Sequence, residues 1–527
     1  MTTKAKERSY IFVVTSILIL SMIFGSTFAV VGQGPQKGGT LRYALSEIAP
    51  SLDPHHGMGY GQITQYIAFN KLIHHDPETL KFKPELAKSW EIPDNTTYIF
   101  HLREGVTFHD GSEFNAEVLK WNFERMLSDY SQVQNRVNMI DEIEVTGPYT
   151  LKITLKSPFA PFLDNLATMG VRIVSKKAVE ENGNEYIQSH PVGTGPFKFE
   201  NWDKQKNTLT FTRYENYWGE NAYLDEWQFV EIPEPQTRLA ALRTGDVDIL
   251  HSTPQANIEE LKKSDKYKLV SWMASSNTID YITFNCEKPP MEDVRVRKAI
   301  ALALDEPKIV QFLDNVEPIY GPLPPASWGS PPNASDPGYN PERAKELLAE
   351  AGYPDGFSVT LKIWSDDPLR KNLATVTQSM LAEVGVDVNI KILQTSTLIE
   401  QMRNSGGKGA DGEWTLASLH WGGGGALDPN GNLRVLFHSE NGQFNWISNF
   451  KNEKLDNLLD EALLVTDRDE RQQLYYKAFN ILKENYPMIW FGRIAGYKTI
   501  AKYVHGIEPL APTGYFTANT ANVWIER

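Results

Sequence analysis

At 527 residues the chain exceeds what one hydrophobic core serves, so two or more domains of roughly 100 to 250 residues are expected. A net charge of −14 argues against nucleic acid or an anionic membrane surface as the partner. The single cysteine, Cys286, excludes an internal disulfide and any multi-cysteine metal site, and with no histidine nearby it reads as a small apolar residue.

Lys4, Lys6 and Arg8 precede an apolar run over residues 11–24, and Thr27 and Ala29 put small side chains at the usual cleavage spacing. This is the pattern of a secretory signal over residues 1–29. The same stretch could cross about 30 Å of hydrocarbon, so an uncleaved anchor is the alternative. No cysteine follows the run, which excludes acyl-lipid tethering there. Residues 30–39 form a Gly-rich linker.

Folded structure is expected from Thr40, with Leu41, Tyr43 and Leu45 alternating as in a strand. The loop after it carries Asp53, Pro54, His55, His56 and Tyr60. The histidine pairs His55-His56 and His74-His75 lack a third ligand at a usual spacing, so no metal is expected. Residues 98–103 read as a strand, Asn115 caps a helix bearing Leu119, Phe123 and Met126, and Leu151, Ile153 and Leu155 alternate on a further strand. Two glycines caged by two prolines in Pro191-Val192-Gly193-Thr194-Gly195-Pro196 turn a corner.

Beyond it, residues 235–243 form a helix stopped by Gly245, and Asp293 caps another. Residues 318–341 are Pro- and Gly-rich and irregular, with Trp328 among them. Asn340, Pro341 and Gly352 bracket a helix, after which strand, helix and strand follow over residues 359–392, a βαβ unit. Residues 455–482 are largely helical.

Three runs carry a family resemblance: Leu86-Ala87-Lys88-Ser89-Trp90, Phe100-His101-Leu102-Arg103-Glu104-Gly105-Val106-Thr107-Phe108-His109-Asp110-Gly111, and Pro191-Val192-Gly193-Thr194-Gly195-Pro196-Phe197. Together they resemble the solute-binding proteins of family 5, the extracytoplasmic receptors of peptide, nickel and related ABC importers, and the likeness spans nearly the whole mature chain. It implies an α/β, two-lobed periplasmic-binding-protein type II fold with mixed sheets, flanking helices, a hinge, and a subdomain inserted in the first lobe. The boundaries it implies are residues 40–72, 192–286 and 491–527 for the first lobe, 73–191 for the insert and 287–490 for the second lobe. It also implies that the chain crosses between lobes just after Asn285 and returns after Trp490.

Catalytic motifs are missing. There is no Gly-x-Ser-x-Gly elbow, His-Glu-x-x-His or phosphate loop, and Asp428-Pro429-Asn430-Gly431-Asn432 fails as a calcium loop at its sixth and twelfth positions. No enzyme and no cofactor is therefore expected. The run His420-Trp421-Gly422-Gly423-Gly424-Gly425 matches a cleft segment in the resemblance, where a Trp lines the site and an Asp three residues on pairs with a peptide's ammonium group. Here that position is Gly424, which disfavours ordinary oligopeptides unless Asp428 reaches the spot. Flat faces on Trp364, Trp421 and Trp446 suit sugar rings, and Tyr60 and Asn285 complete the candidate site.

The expected function is capture of an oligopeptide or oligosaccharide between the lobes by a monomeric receptor that hands it to permease and ATPase subunits. A nickel or haem receptor of the same family and a secreted glycan hydrolase are the alternatives.

Overall fold

The computed structural model describes residues 34–526 except 57–63, 77–78, 80, 169, 272–278, 314–315, 326, 365–367, 405–413, 422–427, 441, 495 and 508–519. Tyr60 and Gly424 thus lie outside the described residues. Three main sheets organise the chain.

The first, of seven strands, runs Tyr267–Ser271, Tyr497–Ala501, Ile249–Leu250, Thr40–Leu45, Glu226–Glu231, Thr208–Arg213 and Phe197–Asp203 in spatial order. Thr40–Leu45 is central and parallel to both neighbours. Its residues Leu41, Tyr43, Ala44 and Leu45 are all buried, as expected for a strand covered on both faces. The helix Pro235–Thr244 stops at Gly245, whose φ of 81° is cheap only for glycine.

The second sheet has six strands, ordered Val316–Pro318, Met488–Ile494, Ile279–Phe284, Leu416–Trp421, Phe357–Trp364 and Val386–Leu393. Phe357–Trp364 and Val386–Leu393 pair in parallel around the helix Pro368–Ala382, which makes the expected βαβ unit. Asp293 caps Val294–Leu302 by accepting from Arg295 N at 2.8 Å, and Asn340 caps Pro341–Glu350 in the same way through Arg343 N at 2.9 Å. The long helical stretch near the end is two helices, Glu453–Leu464 and Arg468–Asn485, divided where Asp467 becomes the cap of the second.

The third sheet, Ala87–Asp94, Thr97–Leu102, Thr150–Leu155 and Ile140–Gly147, is wholly antiparallel and has a core of its own. Phe100, Leu151 and Ile153 meet Leu119 and Phe123 of the helix Ala116–Leu127 there. Asn115 starts that helix by accepting from Val118 N at 3.1 Å.

The corner at Gly193 and Gly195 is where this part rejoins the first sheet. A Cβ on Gly193 would sit 2.2 Å from Ala68 O, and one on Gly195 would sit 2.5 Å from Ile67 O. Only glycine permits that approach. His109 donates from Nε2 to Gly195 O at 2.9 Å, and Gly195 N donates to Ala68 O at 2.9 Å, so the corner is pinned from both sides.

Two boundaries differ from the sequence reading. Ile279–Phe284 pairs with Leu416–Trp421 and Met488–Ile494, so it belongs to the second sheet, and the chain crosses before Asn285. The return likewise follows Ile494, since Tyr497–Ala501 is the first element back in the first sheet. A fully buried strand looks alike in either lobe, and pairing, which is long-range, decides its place.

Candidate ligand-binding site

Leu416–Trp421 and Phe357–Trp364 run parallel, so Trp421, His420 and Trp364 emerge together at the carboxyl ends of their strands. Ligands of open α/β sheets gather at that edge. The three tryptophans singled out from sequence, Trp364, Trp421 and Trp446, are half-buried around one apolar cluster with Trp328.

Each is held by named neighbours. Trp421 donates from Nε1 to Asn432 Oδ1 at 3.2 Å, and its ring lies 4.8 Å from Phe444, which in turn is 6.0 Å from Trp446. Arg403 covers the Trp446 ring at 5.2 Å. Trp364 has Arg370 over its face at 4.4 Å and His420 edge-on at 5.0 Å. Arg370 is fully buried and bound to Asp280 at 2.6 Å, which anchors this wall to the neighbouring strand.

Two sequence expectations are corrected. Asp428 cannot substitute for the missing acid at Gly424, because it is already engaged: Arg471 Nη2 lies 2.7 Å from Oδ2, and Tyr475 OH and Asn430 N donate to Oδ1 at 3.0 Å each. Burial pushes the carboxyl up while the guanidinium pulls it down, and at this geometry the pair is an ion pair. Asn285 is also away from the tryptophans. It follows the end of a strand whose first residue, Ile279, pairs with Trp421, so the two lie at opposite ends, roughly 17–20 Å apart at strand rise. Its amide is spent on Trp414 O at 3.2 Å and Asn449 Nδ2 at 3.2 Å.

The histidine loop is a packed polar core. Asp53 is bound by Arg125, with Nη2 to Oδ2 at 2.5 Å, and by Tyr130 OH at 2.9 Å. His55 donates from Nε2 to Arg172 O at 2.8 Å and accepts at Nδ1 from Arg125 at 2.6 Å, which fixes the neutral tautomer. Burial, reinforced by Arg125 against the pull of Asp53, brings its pKa down to about 4. Among the described residues no group of three His, Cys, Asp or Glu side chains could hold a metal ion. Cys286 is inert as a nucleophile, its thiol pushed up to about 11 by burial.

The residue that sequence reasoning missed is Arg172. It is 2% exposed, and while Nη1 donates to Phe69 O at 2.7 Å, neither Nε nor Nη2 has a hydrogen-bond partner among the described residues. Its guanidinium stacks on Tyr66 at 4.1 Å. Positive charge is in surplus here. Glu85, which burial would raise, is brought down to about 2 by His74, Lys71 and Arg172, and Lys71 falls to about 8 through burial and the repulsion of Arg172. A lone arginine inside the apolar run Gly170-Val171-Arg172-Ile173-Val174 was the available signal.

Residues 81–444 match the profile described as bacterial extracellular solute-binding proteins, family 5 middle. The chain belongs to this family. Among its relatives, heme-binding protein A of Haemophilus influenzae is 30% identical over 489 residues, 87% of each chain. The glutathione-binding protein GsiB of Pectobacterium atrosepticum is 31% identical over 490 residues, 90% of each. Among solved structures, the periplasmic binding protein DppA of Helicobacter pylori with the peptide STSA superposes with a TM-score of 0.76 at 28% identity, covering 93% of this chain and 99% of that one. HbpA2 of Haemophilus parasuis gives 0.80 at 27%, over 93% and 100%.

Family 5 membership makes the chain an extracytoplasmic, non-catalytic binding component that serves the permease and ATPase subunits of an ABC importer. Its fold is the mixed α/β, two-lobed one of that family, with sheets flanked by helices.

Proposed function

We propose that the cargo is a small peptide-like molecule recognised through a free carboxylate, with its ammonium group, if it has one, left to solvent. The observation that carries this is Arg172, a buried guanidinium with two nitrogens that have no hydrogen-bond partner among the described residues. Glu85, the nearby anion, is shared with His74 and Lys71, and an incoming carboxylate on the two remaining guanidinium nitrogens adds a bidentate pair. Arg172 packs against Tyr66 and Phe69, just beyond the loop that the family resemblance assigns to the cleft. In the second lobe Trp421 and Phe444 offer an apolar wall, and the position that carries an ammonium-binding acid in the peptide receptors is Gly424 here.

The chemistry of related proteins agrees. Glutathione, heme, the STSA peptide, the Met-Leu dipeptide and agropinic acid, which the relatives and neighbours are named for or solved with, all bear carboxylates. A sugar is less well supported, because Arg370 and Arg403 already cover faces of Trp364 and Trp446.

Binding works by population shift. Cargo that touches both lobes favours the closed form, and the closed form is what the membrane subunits accept. Titration calorimetry with paired ligands tests the reading: a free-acid di- or tripeptide binds, its N-acetyl derivative binds nearly as well, and its C-terminal amide loses at least tenfold. Equal affinity for acid and amide would overturn it.

A further inference from the structure

A cavity of about 190 Å³ lies at the junction between the inserted subdomain and the second lobe. Phe82, Tyr98 and Leu163 line it from the insert, and Trp328, Arg468 and Arg471 line it from the second lobe. Trp421, Trp364, Trp446 and Arg172 are not among its walls. Beside it the two bodies are joined by hydrogen bonds from Ala160 N to Leu463 O at 2.8 Å and from Thr466 Oγ1 to Asn95 Oδ1 at 3.3 Å.

The insert's wall is apolar and aromatic, with the Tyr98 ring 4.7 Å from Phe162 beneath it. The opposite wall is cationic. Trp328 carries the Arg468 guanidinium at 5.1 Å and that of Arg471 at 5.3 Å, and it is itself fixed edge-on to Tyr475 at 5.4 Å. The two arginines differ in one respect: Arg471 is neutralised by Asp428 at 2.7 Å, whereas Arg468 has no carboxylate within ion-pair distance among the described residues. The one acid in the cavity wall, Asp164, is taken by His75 Nε2 at 3.0 Å. The Arg468 guanidinium therefore stands across the cavity from the apolar side chains of the insert.

We propose that this junction is a second ligand site, distinct from the cargo site, that takes a small amphipathic carboxylate. The apolar body packs against Tyr98, Phe82 and Leu163, and the carboxylate pairs with Arg468. The cavity is below the 300–1,000 Å³ range of drug-sized pockets, which limits the guest to a single ring or a short alkyl chain. Because the guest touches both bodies, it stabilises their approach, and by linkage cargo and guest raise one another's affinity by the same factor.

Calorimetry on the full mature chain tests this with two probes that share one phenylalkyl body, 3-phenylpropionate and phenethylamine. The carboxylate binds one to one and the amine does not. Arg468→Gln weakens the carboxylate by about tenfold, the size of one charge-assisted pair, and Tyr98→Ala weakens it as well. Arg468 is exposed, so the glutamine variant folds, and its binding of a free-acid peptide in the absence of phenylpropionate is unchanged. Phenethylamine binding as tightly, full affinity in Arg468→Gln, or no heat at millimolar phenylpropionate would each overturn the second site. None of those results bears on the cargo reading, which fails on its own acid-against-amide comparison.

Discussion

Arg172 and Asp428 are both buried ionisable side chains, and they are handled in opposite ways. Asp428 is held inside the chain by an ion pair with Arg471 and by hydrogen bonds from Tyr475 and a backbone amide. Arg172 is held only in part, with one nitrogen on a carbonyl and an aromatic ring beneath. The difference separates structure from function: a closed ion pair holds helices together, while a guanidinium with two nitrogens left over is a place where a guest can bind. Both buried groups can be probed separately.

The largest effect is expected at the closed pair. Asp428→Asn strands the Arg471 guanidinium and costs about 3–5 kcal/mol of stability, read as a lower denaturation midpoint with an unchanged slope. A loss below about 1 kcal/mol would mean that the pair is not the internal tie described. Acid tests a third way of handling buried groups, keeping them uncharged. His55 and His109 are both brought down to about 4, chiefly by burial. The unfolded chain takes up protons near pH 6.5 and the folded one only near pH 4, so stability falls as pH drops through that window, by about 1.4 kcal/mol per unit of depression. Melting curves from pH 7.5 to 4 check it, and His109→Gln flattens the slope.

At the open charge the balance inverts. Arg172→Gln changes the melting temperature little, since only one of its guanidinium nitrogens is hydrogen-bonded among the described residues, while affinity for a free-acid peptide falls at least tenfold, a change of about 1.4 kcal/mol or more. If stability collapsed instead and affinity held, Arg172 would belong with Asp428 as a structural group. The smallest effect is at Asn285. Asn285→Ala costs about 1 kcal/mol through its lost hydrogen bonds and leaves peptide affinity alone, as its distance from Trp421 requires.

What could be read from the sequence was local. Asn115, Asp293 and Asn340 cap helices where their spacing put them, Gly245 ends one, and the alternation of Leu151, Ile153 and Leu155 marks a strand, because each signal acts within a few residues. The corner at Gly193 and Gly195 was legible for the same reason, though the oxygens of Ile67 and Ala68 that demand glycine there were not. The misreadings were long-range. Asp428 and Arg471 are 43 residues apart, so nothing local reveals that the carboxylate is taken. Asn285 sits next to a crossing that the family resemblance places one strand too late, and only the pairing of Ile279 with Trp421 shows that it lies at the far end. Arg172 was visible as an odd charge in an apolar run, yet whether such a charge is paired depends on groups elsewhere in the chain.

The second sheet draws all six of its strands from one unbroken stretch, 279–494, and the strands that begin and end that stretch are immediate neighbours in it. The stretch thus starts and finishes at about the same point on its own surface, one strand spacing of roughly 5 Å apart. Such a piece is a cassette: it can be cut from the gene as a single fragment and exchanged with its counterpart from a relative by splicing at two adjacent seams. Specificity carried on its tryptophan wall could then be transplanted whole, with Arg172 staying behind in the recipient.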